Sequence, residues 1–502
     1  MNEQTKKNLD ELYKELRIIR TYDHAVAIID FDFETCAPVE GRGDEGDVIS
    51  YFANKKFAIS NSGKMKRTIG YLYGHIEELD ELDRILIRKL NENLEKTAAV
   101  TAKTQLKWLK IYNQAYIDWL KAKEVGDFSL YKKSFCAVIK ASKEKVALRK
   151  NALPDLYDNL LNDCEKGVLS ATLDKFFDEL KVGLMELIAK IKSSDHVIRR
   201  DFLSRKVPIY KQQEFSEYVL KLNGYDFKRG HISTTEHPFT NEIAKNDVRV
   251  TTHYFENMFL SNLYSVIHEG GHAILMQNEP EEDFEHFIND SVTNGMHESV
   301  SRFYENVIGR SKEYISLIYP EFHRLFNEEL SDVTERELYE AVNIVEPSLI
   351  RTEADEVTYG LHIVIRYEME KAISAGKISP AAAKKEWNRL YREYLGVTPK
   401  NDAEGILQDV HWTNDFGYFP SYALGNAYNA MYLKRISSEM DFKGAIARGD
   451  LAAVNDWMKK NVFAEANRLT PEKWLLKLTG RPLTAKDFLE YLNDKYSEIY
   501  GF

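Results

Sequence analysis

His268, Glu269 and His272 fall within five residues, in the run Ser265–Leu275 that reads "SVIHEGGHAIL". On a helix of 3.6 residues per turn the two histidines stand one turn apart on one face, where two imidazoles can grip one zinc ion. Glu269, directly after the first, can then reach water on the open side of the metal and serve as general base. Two ordinary hydrogen-bonded histidines are the competing reading, and the two glycines inside the run count against a plain helix. A catalytic zinc normally has three protein ligands. The continuation x-x-G-x-x-H is excluded, because "AILMQN" follows His272. A downstream helix within "TNGMHESVSRFYEN" offers Glu298, 26 positions after His272. Its competing reading is a surface pair with Arg302 at i+4. Glu279, Glu281, Glu282 and Asp283 lie in an expected acidic loop between the two helices, and spacing alone prefers Glu298 only modestly.

These side chains need elements to hold them. Most of the chain shows helical periodicity, including the amphipathic N-terminus "MNEQTKKNLDELYKELR" and the stretch from about 67 to 225, broken by a loop at Val125–Phe128. Ser379-Pro380 and Thr470-Pro471 pair a capping residue with a proline suited to the first helical position. Gly480 is placed to stop a helix, and Phe488, Leu492, Tyr496 and Ile499 recur at helical spacing beyond it. One segment differs. "GHISTTEHPFTNEIAKNDVRVTTHYFEN" is rich in Thr, Val, Ile and aromatics, and "DVRVTT" alternates like a strand. A small antiparallel sheet is expected just before the HEGGH helix, either lining a cleft where its edge aligns an extended peptide or simply capping a helical core.

The 502-residue chain carries a net charge of −11, which argues against nucleic-acid binding and against attraction to anionic membranes. Cys36, Cys136 and Cys164 are few and scattered, as suits a reducing cytoplasm. The charged N-terminus does not read as a signal peptide, and no apolar run approaches membrane-spanning length. A soluble, cytoplasmic protein is expected.

An ordered set of motifs resembles the Taq-type thermostable metallocarboxypeptidase family. The set begins with "HPF" (His237–Phe239), "DVRVT" (Asp247–Thr251), "HEGGH" (His268–His272) and "HES" (His297–Ser299). It continues with "IRTEADE" (Ile350–Glu356), "GILQDVHW" (Gly405–Trp412) and "GYFPSYALGN" (Gly417–Asn426). "DFDFETCAP" (Asp30–Pro38) is similar to a family segment that carries tryptophan where phenylalanine stands here. The chain departs from the family pattern at Val300, where glutamine is usual, and at Ser421, where threonine is more frequent. These departures bear on substrate preference, not on reaction class.

The resemblance implies a mainly α, zincin-like fold with the sheet beside a deep active-site cleft. It implies one metallocarboxypeptidase domain over 1–502: a helical part to about 225, a metal-site core from about 230 to 430, and C-terminal helices from about 431. It further implies His268, His272 and Glu298 as ligands of one divalent ion, zinc first, with cobalt or manganese also able to occupy the site. Glu269 is then the general base, and His411 and Tyr422 are donors to the oxyanion. Arg351 is the expected reader of the substrate's terminal carboxylate, with Arg249 as second candidate and His237 shaping the site. Each has a structural alternative: a packed core histidine for His411, one tyrosine among many for Tyr422, a salt bridge to Glu353 or Asp355 for Arg351. The glycines of HEGGH are expected to admit close neighbours. The implied reaction is release of C-terminal amino acids from short peptides, in a homodimer. Two rivals remain, a zinc oligopeptidase cutting internal bonds and a catalytically inactive helical peptide-binding protein. Loss of Glu269 or of a ligand would mark the latter, and none is lost.

Overall fold

The computed structural model describes residues 1–38 and 40–502. It is 69% helical, with one three-stranded sheet, so the mainly α expectation holds. Short polar side chains start many helices by accepting a backbone N–H that has no partner within the helix. Asn2 does so for Glu3–Thr35, Thr101 for Ala102–Val125 and Thr293 for Asn294–Arg302. Gly126 and Gly480 end their helices in the left-handed conformation, at φ 72° and 70°. Thr470-Pro471 opens Pro471–Thr479 as expected. Ser379-Pro380 does not: the Ala382 N–H bonds back to the Ser379 carbonyl, so the proline sits in a turn and the helix begins at Ala383. Among the described residues, no helix is long and apolar enough to cross a membrane.

The sheet comprises β1 (Ile232–Thr234), β2 (Thr240–Ala244) and β3 (Asp247–Thr252), in the order β1-β3-β2. β2 and β3 pair antiparallel, with Thr240 opposite Val250 and Glu242 opposite Val248. The expectation of a purely antiparallel sheet needs one correction. β1 runs parallel to β3, Ile232 opposite Val250, because residues 235–239 carry the chain over before β2 begins. Alternation along β3 buries Val248, Val250 and Thr252 on one face and leaves Asp247 and Arg249 half-buried on the other.

The HEGGH helix, Phe259–Asn278, is buried on nearly every side. Its glycines are where neighbours come closest. A Cβ on Gly270 would stand 2.5 Å from Leu220 Cδ2, and one on Gly271 would stand 2.7 Å from the Ser301 Cα of the HES helix, Asn294–Arg302. Gly425 admits the Pro420–Glu439 helix in the same way, 2.8 Å from Glu298 Cβ. Three helices are thereby held at backbone contact.

Most of the interior is one cluster around these helices. A smaller cluster, including Leu12, Leu16, Ile69, Leu72 and Ile87, joins the N-terminal helices and takes in Ile288 from the connection ahead of the HES helix. A cavity of about 1000 Å³ is bounded by Leu16, Arg20, Lys89, Glu242 and Phe287. Its wall therefore includes β2, whose first residue reaches the HEGGH helix. The acidic stretch between the helices is not a loop: Glu281–Glu285 is a short helix, and Glu279 is buried just ahead of it.

Candidate metal centre and active site

His268, His272 and Glu298 come together from two helices, with one ligand atom of each inside 4.8 Å of the others. His268 Nε2 faces Glu298 Oε2 at 3.9 Å. The other nitrogen of each ring is engaged: His268 Nδ1 lies 2.8 Å from Glu305 Oε2, and His272 Nδ1 lies 2.5 Å from His297 Nδ1. Such outer contacts fix tautomer and ring orientation. Burial holds His272 well below the ordinary histidine range, so its imidazole is neutral. Burial also lowers His268, but Glu298 and Glu305 raise it further, a sign of negative charge gathered where a cation would sit. Two neutral-capable imidazoles and a carboxylate, backed by a second carboxylate, fit a divalent ion.

Behind Glu298 runs a buried chain of charges. Arg302 Nε lies 3.5 Å from Glu298 Oε2 and its Nη1 donates to Glu305 Oε2 at 3.1 Å, while Arg310 approaches Glu305 Oε1 at 3.4 Å. The i+4 pair of the competing reading thus exists, but largely buried and beside the ligands instead of on the surface. Burial works against the Glu305 anion, yet Arg302, His268 and Arg310 hold its pKa far below the usual range. Glu305 lies in a π-helical segment, Phe303–Ile308, that continues the HES helix. A second group, Asp80, Asp83 and His286, satisfies the same spacing criterion. Its atoms are already occupied: Asp80 caps a helix, and Asp83 accepts from Tyr13 and contacts His286 at 3.1 Å.

Glu269 is buried beside the ligands. The Thr240 hydroxyl, at the start of β2, donates to Glu269 Oε2 at 2.7 Å and also meets the Glu269 carbonyl at 2.8 Å. Burial raises the Glu269 pKa, with His268 and Thr240 pulling against it.

His411 and Tyr422 meet, Nε2 to hydroxyl, at 3.3 Å. Burial pushes His411 down to about 4 and Tyr422 well above 10, so both are neutral at pH 7, and His411 can donate from Nε2 in the tautomer that carries its proton there. Arg351 stands beside them, its guanidinium 4.9 Å from the Tyr422 ring centre. Its Nε donates to Asp409 Oδ1 at 2.9 Å and its Nη1 to the Tyr359 hydroxyl at 3.0 Å. The alternative salt bridge to Glu353 or Asp355 is not made: Asp355 caps Val357 and Thr358, and Glu353 is exposed. Asp409 also binds the fully buried Arg366, at 2.7 Å from Nε. Two guanidiniums share one carboxylate. The Tyr359 ring carries Arg302 over its face at 4.5 Å, which links Arg351 to the Glu298 side of the site.

The remaining candidates stand differently. Arg249 is committed to Asp247 through Nε and Nη2, at 2.8 and 2.7 Å, and lies over Phe31. His237 is exposed in the β1–β2 connection. Thr240, Glu305, Tyr359 and Asp409 escaped the sequence reading. For Glu305 a signal existed: it lies seven residues after Glu298, on the same helical face as Arg302.

A helical protein with an HExxH helix and a glutamate from a downstream helix is a metal-dependent peptide hydrolase by its site. The family profile described as Carboxypeptidase Taq (M32) metallopeptidase matches residues 11–496. Carboxypeptidase 1 of Bacillus subtilis is 35% identical over 492 residues, 98% of either chain. Thermostable carboxypeptidase 1 of Thermus thermophilus is 36% identical over 426 residues, 83% of either chain. The crystal structure of the M32 carboxypeptidase from Deinococcus radiodurans superposes with a TM-score of 0.95 at 29% identity, over 99% of this chain and all of that one. The chain belongs to the Carboxypeptidase Taq (M32) metallopeptidase family, and is a metallocarboxypeptidase.

Proposed function

We propose that this enzyme releases C-terminal amino acids one at a time from short peptides, with His268, His272 and Glu298 holding one zinc ion. The observation that carries the reading is the buried Arg351 beside His411 and Tyr422, a guanidinium whose partner Asp409 is shared with a second arginine. That arrangement leaves an excess of positive charge in which an incoming carboxylate is favoured. His268, His272 and Glu298 would hold the divalent ion, which when bound would supply Lewis acidity for the scissile carbonyl and for a water near neutral pH. Cobalt or manganese suits the same donors.

The chain's own groups do the rest. Glu269 takes the proton of the attacking water and later delivers it to the departing amine. Thr240 fixes Oε2, which leaves Oε1 to receive that proton. His411 and Tyr422, 3.3 Å apart at their polar tips, can both donate to one oxyanion as it develops. Arg351 binds the terminal carboxylate and so sets which bond meets the ligands. Arg249, held by Asp247 through two nitrogens, is the second candidate for the carboxylate, and His237 has a shaping role at most. Matched free and C-terminally amidated peptides test the reading: the free peptide should lose single residues from its C-terminus, and the amide should be a poor substrate. Equal internal cleavage of both would make the enzyme an oligopeptidase.

The metal assignment has its own measurement. Glu298→Ala should retain far less metal than wild type by elemental analysis after dialysis. Glu305→Gln, which keeps the shape but weakens the acceptor for His268 Nδ1, should lower metal affinity by about 10- to 100-fold. Wild-type retention in Glu298→Ala would remove that residue from the ligand set.

The whole chain is proposed to act as one body, in the cytoplasm, where its three free cysteines stay reduced. A homodimer is proposed on the exposed stripe Leu106, Leu109, Tyr116, Ile117 and Leu120 of the Ala102–Val125 helix. Sedimentation of wild type should give a dimer, and Leu109→Glu with Leu120→Glu should give a monomer. A wild-type monomer would dismiss the interface.

A further inference from the structure

We propose that Glu370 is a positioning residue for the oxyanion donors, setting the turn that carries His411 through bonds from the Trp412 indole and the Gly417 amide. The inference rests on the reading of His411 and Tyr422 given above.

His411 does not fix its own place. Among the described residues its buried Nδ1 has no hydrogen-bond partner, its Nε2 faces Tyr422, and its ring packs on Phe419 with centres 4.5 Å apart. A catalytic imidazole is usually oriented by a bond at the far nitrogen. Here that bond is missing, so the backbone of residues 409–419 must supply the placement. The segment is tied down on both sides of His411. Upstream, Asp409 is gripped by Arg351 and Arg366. Downstream, Glu370 Oε1 accepts from Trp412 Nε1 at 2.8 Å and Oε2 accepts from Gly417 N at 2.9 Å.

Arg366 and Glu370 are one turn apart on the Tyr359–Ser374 helix, so a single helix face holds both anchors. Gly417 has φ +92°, and a Cβ there would stand 2.7 Å from the Leu160 carbonyl carbon, against the Leu156–Cys164 helix. That helix sends Tyr157, whose hydroxyl is the third donor to Glu370, at 2.9 Å. Glu370 is fully buried. A carboxylate in such a place is costly unless its oxygens are bonded, and an apolar side chain would pack the same space at less cost. What the carboxylate adds is direction: two bonds to fixed points one and six residues after His411.

The alternative is a group that merely stabilises the fold, and the variants are chosen to separate the two. In metal-loaded Glu370→Gln, the amide NH2 group faces either the Trp412 donor or the Gly417 and Tyr157 donors. Its kcat should fall about 10- to 100-fold, the range for a modest displacement of a reacting group, with metal content unchanged and KM within about threefold. Affinity for a phosphinate peptide analogue, which mimics the tetrahedral species, should fall in step with kcat/KM. Trp412→Phe removes the loop-side bond while keeping Glu370, and should show the same pattern; it carries the test if the Gln variant does not fold. Tyr157→Phe removes a bond from the same carboxylate but not from the turn. It should lower the melting temperature and leave kcat within about twofold. Wild-type kcat in folded Glu370→Gln and Trp412→Phe would overturn the proposal, as would an equal kcat loss in Tyr157→Phe. His411→Ala separates the two readings. Unchanged kcat in that variant sinks the oxyanion assignment itself, whereas a slow His411→Ala beside a normal Glu370→Gln sinks only the positioning role.

Discussion

Glu269→Gln should keep its metal and lose its turnover. Glutamine has the size of glutamate and an oxygen to which the Thr240 hydroxyl can still donate, so the side chain should stay where it is. It cannot accept a proton. General-base catalysis contributes about 10²- to 10⁴-fold, and kcat should fall by a factor in that range. Because the proton moves only in the transition state, KM should change little beside kcat. Elemental analysis after purification, paired with turnover of a free peptide, checks both halves. The adjacent ligands make the metal measurement necessary, since Glu269 sits between His268 and Gly270-Gly271, the second of which sets the HES helix at contact distance. Retained turnover with metal in place would end the assignment. Lost metal would make Glu269 part of the holding structure.

The parts of this site that lie close in sequence were legible there, and the parts assembled across the chain were not. His268 and His272 are one helical turn apart and Glu269 adjoins the first, so composition and spacing suffice to place both histidines on one face with the glutamate beside them. Strand β3 was legible because alternation is likewise local, whereas the parallel pairing of β1 depends on where residues 235–239 carry the chain. Glu298 needed the ordered motifs, since the acidic residues nearer to His272 compete with it on spacing. Arg351 was named as a carboxylate reader, but its partner was sought among its neighbours. It is Asp409, 58 positions away, which tertiary packing brings into reach. Glu370 left no local trace at all. Nothing within a helical turn of it predicts that it accepts from Trp412 and Gly417.

Arg351→Ala should convert a strong preference for free C-termini into near indifference. In the folded enzyme two of the five guanidinium N–H groups are used, Nε by Asp409 and one on Nη1 by Tyr359, so both on Nη2 and the second on Nη1 are left for a substrate carboxylate. A charge-assisted bond of this kind contributes on the order of 1.5–3 kcal/mol, and its loss should lower kcat/KM on a free peptide by about tenfold to a few hundredfold. An amidated peptide has no carboxylate to lose, so its already slow cleavage should hardly change. The fold should survive the truncation, because Asp409 keeps its bond to Arg366. Arg351→Lys is the sharper variant. An ammonium restores the charge, but one compact group cannot serve Asp409, Tyr359 and a substrate together in the planar geometry of the guanidinium. It should recover only a small part of the loss. If alanine harms free and amidated peptides alike, Arg351 holds the Asp409 segment in place and does not read the substrate. Arg249 is the next candidate in that event, and a weaker one, since two of its nitrogens are taken by Asp247.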